Sequence, residues 1–166
     1  MILRELTPLD KDSYEKYYKS WNNEEIIPKN TNLKIYENFE DMVTKLSLSK
    51  MNETDPLVPN TTLFLFYKSE ILGAVNIRFR LNEDLEKHGG HINFGVTPNA
   101  RGNGYSRFMT RYALDYLETL GVDEVLLNAD IKNAPSIRTI LKNNSVEIEP
   151  LQEGERKVRR FWINRH

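Results

Sequence analysis

Apolar and polar positions alternate between His91 and Val96. Ile92, Phe94 and Val96 fall on one side, and His91, Asn93 and Gly95 on the other. That period of two predicts a strand with two distinct faces. Pro98 ends it, because proline has no N–H to give to a sheet ladder. From Tyr105 the period changes. Tyr105, Phe108, Met109, Tyr112, Ala113, Tyr116, Leu117 and Leu120 recur three and four residues apart. They predict a helix with one apolar face, stopped by Gly121.

The same patterns place the other elements. Ile2 to Leu6 reads as a short strand, and 10–19 as a helix with a tyrosine-rich side. Trp21 to Tyr36 is polar, holds Pro28 and keeps no period, so it reads as an irregular connection. Asn38 is a helix cap with Asp41 three residues on, and Phe39, Met42, Val43 and Leu46 form one face behind it. Two prolines make 52–60 a loop. Leu63 to Tyr67 and Ile71 to Leu81 make a hairpin around Lys68-Ser69-Glu70. Along its second arm Val75, Ile77, Phe79 and Leu81 face one way, and Asn76, Arg78 and Arg80 the other. After a charged connection at 82–90 and the central strand and helix, Glu124 to Ala129 is a further strand. Asn133 caps a helix with Pro135 in its first turn, Ile137, Ile140 and Leu141 as its buried stripe, and Asn143-Asn144 at its end. Ser145–Ile148 and Lys157–Ile163 pair as a terminal hairpin.

This order predicts one mixed α/β domain over residues 1–166. A largely antiparallel twisted sheet carries an inserted strand–helix–strand unit and flanking helices.

Between the central strand and its helix lies Arg101-Gly102-Asn103-Gly104-Tyr105-Ser106. A glycine-rich turn that feeds a helix leaves N–H groups unpaired at the positive end of the helix dipole, which is a site for an anion such as phosphate. The dinucleotide fingerprint fails because position 107 is Arg, and the P-loop's Gly-Lys-Ser/Thr is absent. The stretch resembles motif A of the GNAT superfamily of N-acetyltransferases, Arg/Gln-x-x-Gly-x-Gly/Ala after a Val-x-Pro strand end. Ser106 stands where that family usually has Gly or Ala. Asn133-Ala134-Pro135-Ser136 is similar to the family's segment before its next helix, so the likeness covers the second half of the chain.

The resemblance implies transfer of an acetyl group from acetyl-CoA to a primary amine of a small molecule or a protein. It implies a pyrophosphate cradle at Arg101, Gly102, Asn103, Gly104, Tyr105 and Ser106, with Asn133 beside the pantetheine. It also implies that the central strand splays from its neighbour, that the backbone of Phe94 and Val96 meets the pantetheine arm, and that the Phe94 N–H polarises the acetyl carbonyl.

Two departures touch the acid–base chemistry. The family's strand glutamate, four residues before Phe94, falls on Gly90, and its helix tyrosine falls on Ile140. His91 has a suitable intrinsic pKa for a base, although alternation turns it away from Phe94. Ser136 or water is left to protonate the thiolate. These departures motivate an alternative from another class, a catalytically impaired acyl-CoA-binding sensor or scaffold. Acceptor choice is expected in 21–36 and the hairpin, with Trp21, Glu24, Glu25, Tyr36 and Arg78 as lining residues.

Composition narrows the partners. The net charge of −1 gives no reason to expect nucleic acid or an anionic membrane. The absence of cysteine excludes disulfides, zinc–thiolate sites and a cysteine nucleophile, and no metal is expected. No apolar run approaches the ~20 residues of a membrane span, and the amino end lacks a signal-peptide core. A cytoplasmic protein is the simplest expectation, and a homodimer is compatible with it.

Overall fold

The computed structural model describes residues 1–165, so His166, the last position of the expected domain, lies outside it. In chain order the main elements are β1 (Ile2–Arg4), α1 (Lys11–Ser20), α2 (Phe39–Leu48), β2 (Asn60–Tyr67) and β3 (Glu70–Arg78). There follow α3 (Glu83–Lys87), β4 (Ile92–Val96), α4 (Tyr105–Thr119), β5 (Glu124–Asp130), α5 (Ala134–Leu141), β6 (Ser145–Glu153) and β7 (Arg156–Asn164). The strands form two antiparallel sheets, in the orders β1-β2-β3-β4 and β5-β7-β6. The mixed α/β class is as expected.

Each face of the first sheet is covered. On one, Leu63, Leu65, Val75, Ile77 and Ile92 pack with Met109, Ala113, Leu114 and Leu117 of α4 and with Val125, Leu127, Phe161 and Ile163 of the second sheet. On the other, Phe64, Phe66 and Ala74 meet Tyr14, Tyr17, Trp21, Phe39 and Met42. The tyrosines of α1 also order the chain that follows. The Tyr14 hydroxyl donates to the Thr31 carbonyl at 2.6 Å and accepts from the Leu33 N–H at 2.9 Å. Residues 21–36 therefore have fixed structure with two short 3-10 turns, where the sequence shows only aperiodicity.

Several boundaries differ from the periodicity. β1 stops at Arg4 and β3 at Arg78. Asn82 caps the short α3, accepting from the Leu85 N–H at 2.9 Å, inside what reads as a plain connection. On α4 the buried stripe is rotated: Thr110 and Leu114 are buried, while Phe108, Tyr112 and Leu120 are exposed. On α5, Thr139 takes the place expected for Leu141, which is exposed. In both helices the covering elements decide which residues are buried, and an apolar side chain outside that footprint stays in water. The C-terminus of α4 is as expected. Gly121 sits at φ +80, with its N–H on the Glu118 carbonyl and the Val122 N–H on the Leu117 carbonyl, a Schellman closure.

Candidate functional site

β4 is the edge of its sheet toward β5, and its register decides which backbone groups are free. The Thr97 N–H donates to the Leu72 carbonyl, and the His91 carbonyl accepts from the Arg78 N–H. Alternation in an antiparallel pair then gives β3 the backbone groups of the odd-numbered residues. The N–H and C=O of Ile92, Phe94 and Val96 point away from β3. The two sheets are joined at the start of β4, where the His91 N–H donates to the Leu126 carbonyl and the His91 Nδ1 accepts the Leu126 N–H at 2.9 Å. Past that point no β4–β5 hydrogen bond is present among the described residues, and a cleft opens beside Phe94 and Val96.

The loop from β4 to α4 closes one end of the cleft. Gly102 and Gly104 sit at φ +81 and +80, conformations that a residue with a Cβ adopts only with strain. Gly104 occupies the N-cap of α4, which has no side-chain cap, and the first helical bond runs from the Phe108 N–H to the Gly104 carbonyl. Among the described residues, the N–H groups from Gly102 to Arg107 find no protein acceptor. They form a concave row of donors at a positive helix end. Ser106 fits here because its hydroxyl turns to the Thr139 hydroxyl of α5, at 3.3 Å. Asn133 caps α5 by accepting the Ser136 N–H at 3.2 Å, and it borders the same space.

A cavity of about 460 Å³ runs along this loop, lined by Val96, Gly102, Gly104, Tyr105 and Ser106. A second, of about 780 Å³, lies across Phe94 and is lined by Asn30, Asn60, Asn76, Arg78 and Asn93, among others. Ile27, Phe94, Asn133 and Ser136 border both, so the two are opposite sides of one cleft. Residues 21–36 reach both sides: Trp21 lines the first, and Glu25, Lys29 and Asn30 line the second. Of the residues expected to line an acceptor pocket, Glu25 and Arg78 border the second cavity, Trp21 borders the first, and Glu24 and Tyr36 border neither. The approach is close, since a Cβ on Gly95 would lie 2.0 Å from the Ile27 carbonyl oxygen.

Three sequence candidates are placed differently from the rest. The Arg101 guanidinium folds back, with Nε on the Val96 carbonyl at 3.3 Å and Nη2 on Glu24 at 2.7 Å. The Asn103 amide turns to the carbonyls of Ala100 and Arg101, at 3.0 and 3.3 Å, and the residue lines neither side of the cleft. His91 lines neither side of the cleft. It is 4% exposed, stands edge-on to Trp162 and spends Nδ1 on the Leu126 N–H. Burial, with a smaller push from Arg78, lowers its pKa to about 4. Sequence reading missed Arg138, which lines the first cavity from α5, and the asparagine lining of the second. The asparagines converge from separate strands, so no local spacing marks them.

The His91 environment makes a pH prediction. Its folded pKa lies below the unfolded value near 6.5, so the unfolded chain binds more protons between about pH 4 and 6.5. Stability therefore falls as pH drops through that window, by roughly 3 kcal/mol if the whole shift is realised. Urea unfolding at several pH values should show this slope, and His91→Asn, which keeps an acceptor but does not titrate, should flatten it. An equal slope in the two proteins would refute the assignment.

Among the described residues no helix is long and apolar enough to cross a membrane, and no group of three or more His, Asp or Glu could hold a metal. A family model described as an acetyltransferase (GNAT) domain matches residues 1–145. An N-acetyltransferase structure from Staphylococcus aureus Mu50 shares 12% identity at a TM-score of 0.69, covering 99% of this chain and 98% of that one. The ribosomal-protein-alanine N-acetyltransferase of Brucella melitensis shares 18% at 0.63, with 99% of each chain covered. A chimera of the spermidine N-acetyltransferase SpeG from Vibrio cholerae and hSSAT shares 17% at 0.64, with 99% and 96% covered. At those identities the likeness is one of fold. No curated protein matches the chain.

Proposed function

Because the chain belongs to the GNAT acetyltransferase family, we propose that it moves an acetyl group from acetyl-CoA to a primary amine, working as one catalytic domain in the cytoplasm. One observation carries this reading. The unpaired N–H row of residues 102–107 leads directly to the edge of β4 at Val96 and Phe94 that no strand pairs. The first suits a pyrophosphate, and the second suits an amide-bearing arm that adds to the sheet as a strand would. Arg138 supplies a cation on the same wall.

In this reading Tyr105 and Ser106 hold the phosphates through their backbone. The Val96 carbonyl, which accepts from Arg101 Nε, exchanges that donor for an amide of the arm. The Phe94 N–H donates to the thioester oxygen and to the oxyanion that forms as the amine attacks. Ser136, on the rim shared by both cavities, offers a hydroxyl to the departing thiolate. Ile140, buried at 1% exposure, has no proton to give. His91 is given a structural role, so the amine proton leaves to water on the acceptor side.

The test is release of CoA thiol by the purified chain with acetyl-CoA and a panel of amines, beside calorimetry for CoA. Amine-dependent release is expected. CoA binding without release for any amine would leave an acyl-CoA-binding module, and no CoA binding would overturn both readings.

A further inference from the structure

The structural neighbours include a spermidine and a ribosomal-protein-alanine N-acetyltransferase, and the second cavity of this chain differs from a polycation site in its own charges. Its floor is a polar patch built across three strands. Register pairs Asn60 with Arg78 and Thr62 with Asn76, and Asn76 with Asn93. These side chains share one face of the sheet, past the point where α1 covers it. The patch is internally bonded: Asn76 Nδ2 donates to Asn60 Oδ1 at 2.9 Å and to the Thr62 hydroxyl at 3.1 Å, and Asn30 Nδ2 to that same hydroxyl at 2.8 Å.

Charge distinguishes this cavity from one suited to a polycation. Its two carboxylates are already engaged. Asp130 holds Arg156 at 3.0 Å and the Lys132 N–H at 2.9 Å, and Glu25 faces Lys29 at 3.5 Å. Glu24, an expected acceptor-side carboxylate, is tied to Arg101. Arg78 is the opposite case. Its Nη1 donates to the Gly90 carbonyl at 2.8 Å, and among the described residues no carboxylate is within ion-pair distance. Asp84 acts on it only as a longer-range attraction, and burial pulls its pKa below the ordinary guanidinium value. A guanidinium keeps its proton under these conditions. Arg78 is half-buried at the cavity wall, and a partly desolvated charge without an ion-pair partner is one that an anion in the cavity completes.

We infer that the amine acceptor carries its own anionic group, a carboxylate in the first instance, which docks on Arg78 over the Asn60–Asn76 floor while its amine reaches toward Phe94. The inference rests on reading this cavity as the acceptor side. The fork of an arginine suits a carboxylate in two-point contact and a phosphate equally well. A neutral amide or a linear polyamine leaves the charge unanswered.

The experiment compares kcat/KM for glycylglycine against glycylglycinamide, and for O-phosphoethanolamine against ethanolamine, with spermidine as a polycation. At least a tenfold preference for an anionic member of a pair is expected. The first pair reports carboxylate and the second phosphate. Arg78→Gln should collapse the preference toward one, and Arg78→Lys, which keeps the charge, should retain part of it. Equal use of both members, preference for spermidine, or a preference that survives Arg78→Gln would overturn the inference. If no amine is acetylated, the acetyl-transfer reading fails by itself, and calorimetry on the CoA-loaded protein decides this one. Binding of an anionic member over its neutral partner, lost in Arg78→Gln, sustains it, and equal or absent binding overturns it. A melting curve for each variant separates loss of the fold from loss of the contact.

Discussion

Replacing Phe94 with proline lowers kcat by about 10²–10³-fold relative to Phe94→Leu, the usual worth of one oxyanion donor. The comparison isolates a backbone group. Phe94 packs against the main core, so both variants lose ring contacts, and Leu keeps most of the volume. Only proline removes the N–H. That N–H points away from β3, so its loss breaks no ladder bond. Proline is tolerated on an edge strand in this orientation. KM for the amine should move much less than kcat, since the bond to the oxyanion strengthens as charge develops on the oxygen. Steady-state kinetics of the two variants, with CoA affinity as a folding control, decides the matter. Equal kcat values would remove the Phe94 N–H from the chemistry.

What could be read from the sequence follows how local each signal is. The β4–α4 unit was legible because three local signals coincide there: alternation to Val96, two glycines, and a 3.6-residue period from Tyr105. Asn133 was legible as a cap for the same reason, since its side-chain oxygen accepts the N–H three residues on. The free edge at Phe94 follows from a pairing register and from the parting of two sheets, both set by contacts distant in sequence. The order in residues 21–36 likewise comes from α1, whose tyrosine hydroxyls hold Thr31 and Leu33. His91 shows the limit of the alternation argument. The pattern correctly turned it from Phe94, but its bond to the Leu126 N–H spans 35 positions and no local rule reports it. Leu141 failed for a related reason: Ile140 and Leu141 are equally apolar, and only Ile140 packs into the main core.

Gly104→Val should weaken CoA binding about 100-fold while leaving the fold in place. Valine disfavours φ +80, so the loop must rearrange or carry roughly 1–2 kcal/mol of strain. Rearrangement moves the N–H groups of Tyr105 and Ser106 off their common centre. Two or three such bonds at ~1 kcal/mol each amount to a factor of about 100. Crowding inside the protein contributes nothing, because a Cβ at this position meets no protein atom within 4 Å. The melting temperature should therefore fall by no more than about 8 °C, the equivalent of that strain in a chain of this size. Gly95→Val makes the contrast. Its side chain would collide with the Ile27 backbone, so it should unfold or open residues 21–36 and damage both sides of the cleft together. Calorimetry with CoA, beside thermal melts, separates the two cases. A Gly104→Val protein that melts normally and binds CoA with undiminished affinity would show that the loop's left-handed turn is not what forms the cradle.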